Sequence, residues 1–192
     1  AETPYRLAAT TPVNIAVLGG SQGASILASL VPDAIAMLDA AVCRRLRIRQ
    51  QARPEQITDL QHRYANLGVA AEIKSFYSDV PSLLNQSHLV ICRAGASSVA
   101  ELAAIGRPSL LLPLPSAMDD HQRSNALQMQ GAGGGICLDE TNLSAASLAT
   151  RLIHLLETPT TLSKMAASAR SLARPDAANL IATMAENLLT DA

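Results

Sequence analysis

Short apolar runs alternate along this chain with longer stretches of helical spacing. Asn14–Leu18 is an apolar run that ends in Gly19 and Gly20, the pattern of a buried parallel strand leading into a tight turn. A helix follows from about Gln22, and Pro32 suits the first turn of a second helix, where its missing N–H is no loss. Leu46 and Ile48 alternate with Arg45, Arg47 and Arg49, a period-two pattern that predicts a strand near a sheet edge. After a helix over 54–66, residues 71–76 predict a third strand. Pro81 opens a short helix, Leu89–Cys92 is a fully apolar fourth strand, and 98–105 is a helix stopped by Gly106 and Pro108. Residues 109–112 predict a fifth strand, 119–130 a helix ending at Gly131, and 135–138 a sixth strand. Helices over 144–157, 160–172 and 176–190 follow. This alternation predicts an α/β fold, a doubly wound and mostly parallel sheet covered on both faces. Ligands of such sheets bind beyond the carboxyl ends of the strands, in the loops that lead into helices.

Composition narrows the class. The 192 residues suffice for one large domain, long enough to bury roughly 70% of the unfolded surface without a disulfide or metal staple. Hydrophobic residues reach 48% and mean hydropathy is +0.18, but Ala dominates and the greasiest runs are strand-sized, which excludes a membrane span of ~20 residues. Fifteen basic against sixteen acidic residues give a net charge of −1, which argues against nucleic acid as a partner, and the absence of Trp removes the usual stacking platforms. Cys43, Cys92 and Cys137 are odd in number, lie among apolar neighbours and form no C-x-x-C pair, as expected of buried, reduced thiols in a cytoplasmic protein. Residues 1–12, polar with two prolines, read as a linker, and 13–192 as one domain. The first residues carry no signal segment and no initiator Met, so the chain is expected to be a processed or excised piece of something longer.

Three loops carry candidate chemistry. In the first, Gly19–Ala24, Gly20, Ser21, Gln22 and Gly23 precede a helix whose free N–H groups suit a phosphate. Ser21 and Ala24 replace two glycines of a dinucleotide fingerprint, and Gln50 and Gln51 stand where its ribose-binding acid belongs. The competing reading is a turn chosen for geometry alone. In the second, Ser98 followed three residues later by Glu101 is a capping box, or else Glu101 accepts from a vicinal diol such as a ribose. Arg93 ends the preceding strand and suits a carboxylate or a phosphate partner. In the third, Pro113 and Pro115 stiffen the approach to a helix capped by Asp119 or Asp120. His121 and Gln122 in its first turn suit sugar hydroxyls, and Gln122 shares a face with Asn125. An ordinary polar helix start is the other reading. The adjacent carboxylates point apart and no His or Cys has ligand spacing, so no metal is expected. The arginines at 44, 45, 47, 49 and 53 suit either anionic headgroups or the solvated side of an edge strand, and His62, His88 and His154 read as structural.

Taken together, these loops resemble the C-terminal, donor-binding domain of the MurG family, the peptidoglycan N-acetylglucosaminyltransferases of glycosyltransferase family 28. The markers are Gly19–Ala24, the Gln-Gln-Ala-Arg-Pro-Glu run at 50–55, the segment 92–101, and Asp120, His121, Gln122, Asn125 and Ala126 in their spacing. The resemblance covers residues 13 to 190. It implies one Rossmann-like half of a GT-B fold and transfer of N-acetylglucosamine from UDP-N-acetylglucosamine to undecaprenyl-diphosphate-muramoyl-pentapeptide, with no cofactor and no metal. By resemblance, Gly20, Ser21, Gln22 and Gly23 meet the diphosphate, and the backbone of Tyr77 meets the uracil. Ala96, Ser97 and Ser98 present a helix N-terminus to the phosphates, Glu101 holds the ribose, and His121 and Gln122 hold the sugar.

The family's N-terminal acceptor domain, with its proposed base and its contact with the cytoplasmic face of the membrane, has no counterpart in these residues. No catalytic residue is therefore expected in this chain, which should bind donor without turning it over. Two other classes stand beside this one: a stand-alone donor subunit working with a membrane-bound acceptor subunit, and a nucleotide-binding module that takes a dinucleotide.

Overall fold

The computed structural model describes residues 5–7, 12–20, 25–115 and 120–190. Six strands, β1 (Val13–Leu18), β2 (Leu46–Gln51), β3 (Ala70–Lys74), β4 (Leu89–Cys92), β5 (Ser109–Leu111) and β6 (Gly135–Cys137), form one parallel sheet in the order β3-β2-β1-β4-β5-β6. Val17 of β1 lies opposite Gln50 of β2 on one side and Ile91 of β4 on the other. The helices are α1 (Ser25–Ile35), α2 (Ala40–Cys43), α3 (Ile57–Asn66), α4 (Val80–Asn85), α5 (Ala96–Ile105), α6 (His121–Gly131), α7 (Ala145–Glu157), α8 (Pro159–Ser171) and α9 (Ala177–Thr190).

The period of two along each strand decides how the sheet is covered. Val13, Ile15 and Val17 of β1 and Leu89 and Ile91 of β4 point to one face, where Leu27 and Val31 of α1, Leu60 of α3 and Leu148 and Leu152 of α7 meet them. Ala16, Val90, Cys92 and Leu111 point to the other, against Leu84 of α4, Leu102 of α5, Met129 of α6 and Ala169 of α8. Each fully buried aliphatic side chain contributes about 1.5–3 kcal/mol. The doubly wound α/β fold expected from the sequence is the one observed. The strand order runs outward from β1 in one direction and from β4 in the other, so a crevice opens between their carboxyl ends.

Several local expectations are corrected. Pro32 lies inside α1 and starts no second helix. Its missing N–H would have bonded the carbonyl of Ala28, and Nη1 of Arg63 donates to that carbonyl instead, at 3.3 Å. At the end of the helix the N–H of Ala36 donates to the carbonyl of Pro32 at 2.9 Å. β2 is an inner strand, and β3 holds the edge. The alternation in β2 arises because Leu46, Ile48 and Gln50 are buried while Arg47 is exposed and Arg49 half-buried. Among these arginines, Arg47 donates to the carbonyls of Arg44 and Leu46, and Arg49 pairs with Glu72 at 3.5 Å. Gln50 is a core residue rather than a ligand contact. Cys43 and Cys92 are buried free thiols, whereas Cys137 is partly exposed. Among the described residues, no helix is long and apolar enough to cross a membrane.

Candidate functional site

The loop after β4 decides between the two readings of Glu101. Helix α5 begins at Ala96 with Gly95 as its N-cap, two residues before the start expected from the sequence. Ser98 is therefore the third helical residue and Glu101 the sixth, too far along the helix to reach back to a cap amide, so the capping box is absent. Gly95 supplies no side-chain acceptor, and the first-turn N–H groups of α5 are left without a side-chain cap. Gly106, at φ 69°, closes the helix in the left-handed region, which glycine adopts without the strain of a Cβ.

A cleft of about 390 Å³ opens at the switch point between β1 and β4. Its walls include Leu18 at the end of β1 and Gly20 after it, Gln51 at the end of β2, Tyr77 before α4 and Val80 at its start, Arg93 after β4, and Ser97, Ser98 and Glu101 on α5. Gly20 turns the chain at φ 76° with no described atom within 4 Å of a built Cβ. Glu101 is half-buried and makes no hydrogen bond or ion pair with the described residues. Phe76, 70% exposed, stands at the rim, an aromatic that the strand expected over 71–76 would have placed inside the sheet.

The remaining titratable groups here are tuned away from nucleophilic chemistry. Complete burial, aided by the charge of Glu101, pushes the Cys92 thiol up to about 12, so it stays protonated at neutral pH. Burial, aided by Glu72 and opposed by Arg49, pushes the Tyr77 phenol up to about 12, and its hydroxyl donates to the carbonyl of Glu72 at 2.8 Å. Of the two partners foreseen for Arg93, it takes a carboxylate, that of Glu140. No sequence pattern marks Glu140, which sits on a single turn (Glu140–Asn142) after β6.

The structure thus gathers Gly20, Tyr77, Ser97, Ser98 and Glu101 around one cleft, with Ala96 exposed on the same first turn of α5. Ser21, Gln22 and Gly23 lie outside the described residues. His121 and Gln122 open α6 and do not line this cleft. They stand beside a second hollow bounded by Pro113, Leu114, Asp120, Arg123 and Glu140, next to the Arg93–Glu140 pair. Asp120 occupies the N-cap position of α6 at φ 52°, but its side chain makes no capping bond there. Side-chain bonds tether α6 to its neighbours: the N–H of Leu114 donates to Oε1 of Gln122 and Nδ2 of Asn125 donates to the carbonyl of Ala94, each at 3.0 Å, and the N–H of Cys137 in β6 donates to Oε1 of Gln130 at 2.8 Å.

Residues 14–181 match the family model for the glycosyltransferase family 28 C-terminal domain. The chain is 44% identical over 183 residues to the UDP-N-acetylglucosamine–N-acetylmuramyl-(pentapeptide) pyrophosphoryl-undecaprenol N-acetylglucosamine transferase of Paramagnetospirillum magneticum, across 95% of this chain and 49% of that protein. It is 45% identical over 185 residues to the same-named transferase of Caulobacter vibrioides, across 96% of this chain and 51% of that protein. The crystal structure of Acinetobacter baumannii MurG is similar at a TM-score of 0.85 and 30% identity, over 95% of this chain and 54% of that one. HepE from Anabaena, solved with UDP and glucose, has a TM-score of 0.65 at 17% identity over 94% of this chain and 49% of that one, a likeness of fold alone. The chain spans about half the length of the curated relatives it matches. By the extent of that family match, this chain belongs to glycosyltransferase family 28, as its C-terminal domain.

Proposed function

We propose that residues 13–192 are the donor-binding domain of an inverting transferase that moves N-acetylglucosamine from UDP-N-acetylglucosamine to a lipid-linked muramoyl-pentapeptide. The observation that carries this reading is Glu101: a carboxylate with no hydrogen-bond or ion-pair partner among the described residues, lining a switch-point cleft beside a glycine-capped helix N-terminus. A carboxylate accepts from both hydroxyls of a ribose, and the free N–H groups of α5 suit the diphosphate. Tyr77 offers its backbone to the uracil, and His121 and Gln122 offer side chains to the sugar. Gly20 to Gly23 complete the phosphate contacts.

In an inverting transfer an acceptor hydroxyl attacks the anomeric carbon while UDP departs with growing negative charge. Helix N-termini aimed at that leaving group stabilise the charge as it develops. The base that activates the acceptor belongs, in this reading, to an N-terminal acceptor domain that also meets the cytoplasmic face of the membrane. The matched relatives are about twice as long as the matched segment, which favours a second domain in the same polypeptide over a separate acceptor subunit.

Calorimetric titration of UDP-N-acetylglucosamine, UDP and NAD into the chain tests the reading. Uridine ligands should bind in preference to NAD, and Glu101→Ala should weaken them by about 10- to 100-fold, the cost of losing hydrogen bonds to a charged group. Preference for NAD, or affinity untouched by the substitution, overturns it.

A further inference from the structure

We infer that Glu140 is a positioning residue for the donor sugar, acting through Arg93 to brace the segment that holds Gln122. The inference rests on the donor-binding reading above, in which Gln122 meets the sugar.

Arg93 joins the ends of three strands at one guanidinium. Its Nη1 donates to the carbonyls of Leu112 at 3.2 Å and Pro113 at 3.4 Å, just past β5, and pairs with the carboxylate of Glu140, just past β6. The turn that carries Glu140 is itself fixed, because Asp139 accepts from the N–H of Thr141 at 3.1 Å, from its hydroxyl at 2.7 Å and from Nδ2 of Asn142 at 3.0 Å. Both members of the pair are largely buried, at 12% and 19% side-chain exposure, so Arg93 needs this counter-charge to stay where it is.

The brace ends one residue short of the functional contact. Leu114 follows Pro113, and its N–H donates to Oε1 of Gln122. That bond uses the amide oxygen, and the NH₂ group takes no partner among the described residues, so Gln122 meets a ligand as a donor to a hydroxyl oxygen. If Arg93 lets go of the Leu112–Pro113 carbonyls, Leu114 moves and the Gln122 amide is free to rotate. The Asn125 tether to Ala94 holds the helix itself, so the loss is confined to the orientation of one side chain. Glu140 does not line the uridine cleft, and removing its carboxylate touches no uridine contact directly.

The test is calorimetry of UDP-N-acetylglucosamine and of UDP against the full 192-residue chain. Glu140→Ala should weaken UDP-N-acetylglucosamine by about 3- to 10-fold, one neutral hydrogen bond's worth, while UDP changes by less than about 2-fold. Glu140→Gln, which still accepts from Arg93, should recover most of the loss. In a Gln122→Ala background the Glu140 change should leave the ratio of the two affinities where it is, because both act on one contact. A merely structural role would lower both affinities together and leave their ratio unchanged, and that result overturns the inference while the donor reading stands. If the wild-type chain binds neither uridine ligand, the donor reading fails and this inference goes with it.

Discussion

The hydroxyl of Tyr64 donates a 2.5 Å hydrogen bond to Oε1 of Gln50, with both side chains buried in the core. Nε2 of Gln50 donates in turn to the carbonyl of Leu27 at 3.2 Å, so one polar bridge links α3, β2 and α1 inside apolar surroundings. Burial raises the Tyr64 phenol far above its ordinary value, which keeps it a donor wherever the protein is folded. Tyr64→Phe leaves the Gln50 oxygen unsatisfied and should lower unfolding free energy by about 1–3 kcal/mol in urea titration. A change below about 0.5 kcal/mol, the range of neutral surface substitutions, would mean that the bridge adds no stability.

A matched pair of glycines tests the packing under β6. A Cβ on Gly134 would lie 2.7 Å from Cα of Ala169 and 2.8 Å from its backbone nitrogen, and the α8 backbone cannot yield as a flexible side chain would. Gly134→Ala should destabilise by about 1–3 kcal/mol through overpacking. Gly131, in the last turn of α6, has nothing within 4 Å of its built Cβ, and Gly131→Ala should be stabilising by up to about 1 kcal/mol through helix propensity. Equal melting temperatures for the two variants would contradict this account.

The Tyr77 contact separates backbone from side chain. If only its backbone meets the uracil, Tyr77→Phe removes the bond to the Glu72 carbonyl, lowers the melting temperature and changes UDP affinity by less than about 2-fold. A loss of tenfold or more in calorimetry, about 1.4 kcal/mol, would assign the phenol itself to the site.

Much of this architecture was legible in the chain because each strand carries its own signal. Apolar runs such as Leu89–Cys92 and punctuation such as Gly106 mark the elements, and alternation at 46–50 marks a half-covered strand, though not its rank in the sheet. What was illegible depended on contacts distant in sequence. Pro32 sits inside α1 with Arg63, from α3, donating to the carbonyl it leaves unbonded, a contact between residues far apart in sequence. The sequence places the start of α5 too late because Ser98 and Glu101 imitate a cap, whereas the true cap, Gly95, advertises nothing through a side chain. Arg93 stands out at the end of its strand, but its partner is 47 residues away on a turn with no motif of its own.

The acid limb of the stability curve should belong to His88. Its Nδ1 accepts from the N–H of Asn14 at 2.9 Å, and its carbonyl accepts from the hydroxyl of Tyr5 at 3.0 Å. Burial lowers its pKa and the charge of Arg107 adds to the effect, while a hydrogen bond with the Arg6 backbone opposes it. The folded chain therefore binds this proton less readily than the unfolded one, whose His titrates at about 6.5. The stability this neutral ring contributes is complete above that value and is lost as pH falls from it toward the folded pKa. Asp139, held below the usual carboxylate range by its bonds from Thr141 and Asn142, loses its contribution only in a separate window, below about pH 4. Melting temperature should thus fall in the wild-type chain as pH drops below about 6.5. His88→Asn, whose side-chain oxygen can accept from Asn14 without titrating, should flatten that limb. An unchanged slope in the variant would move the proton to another group.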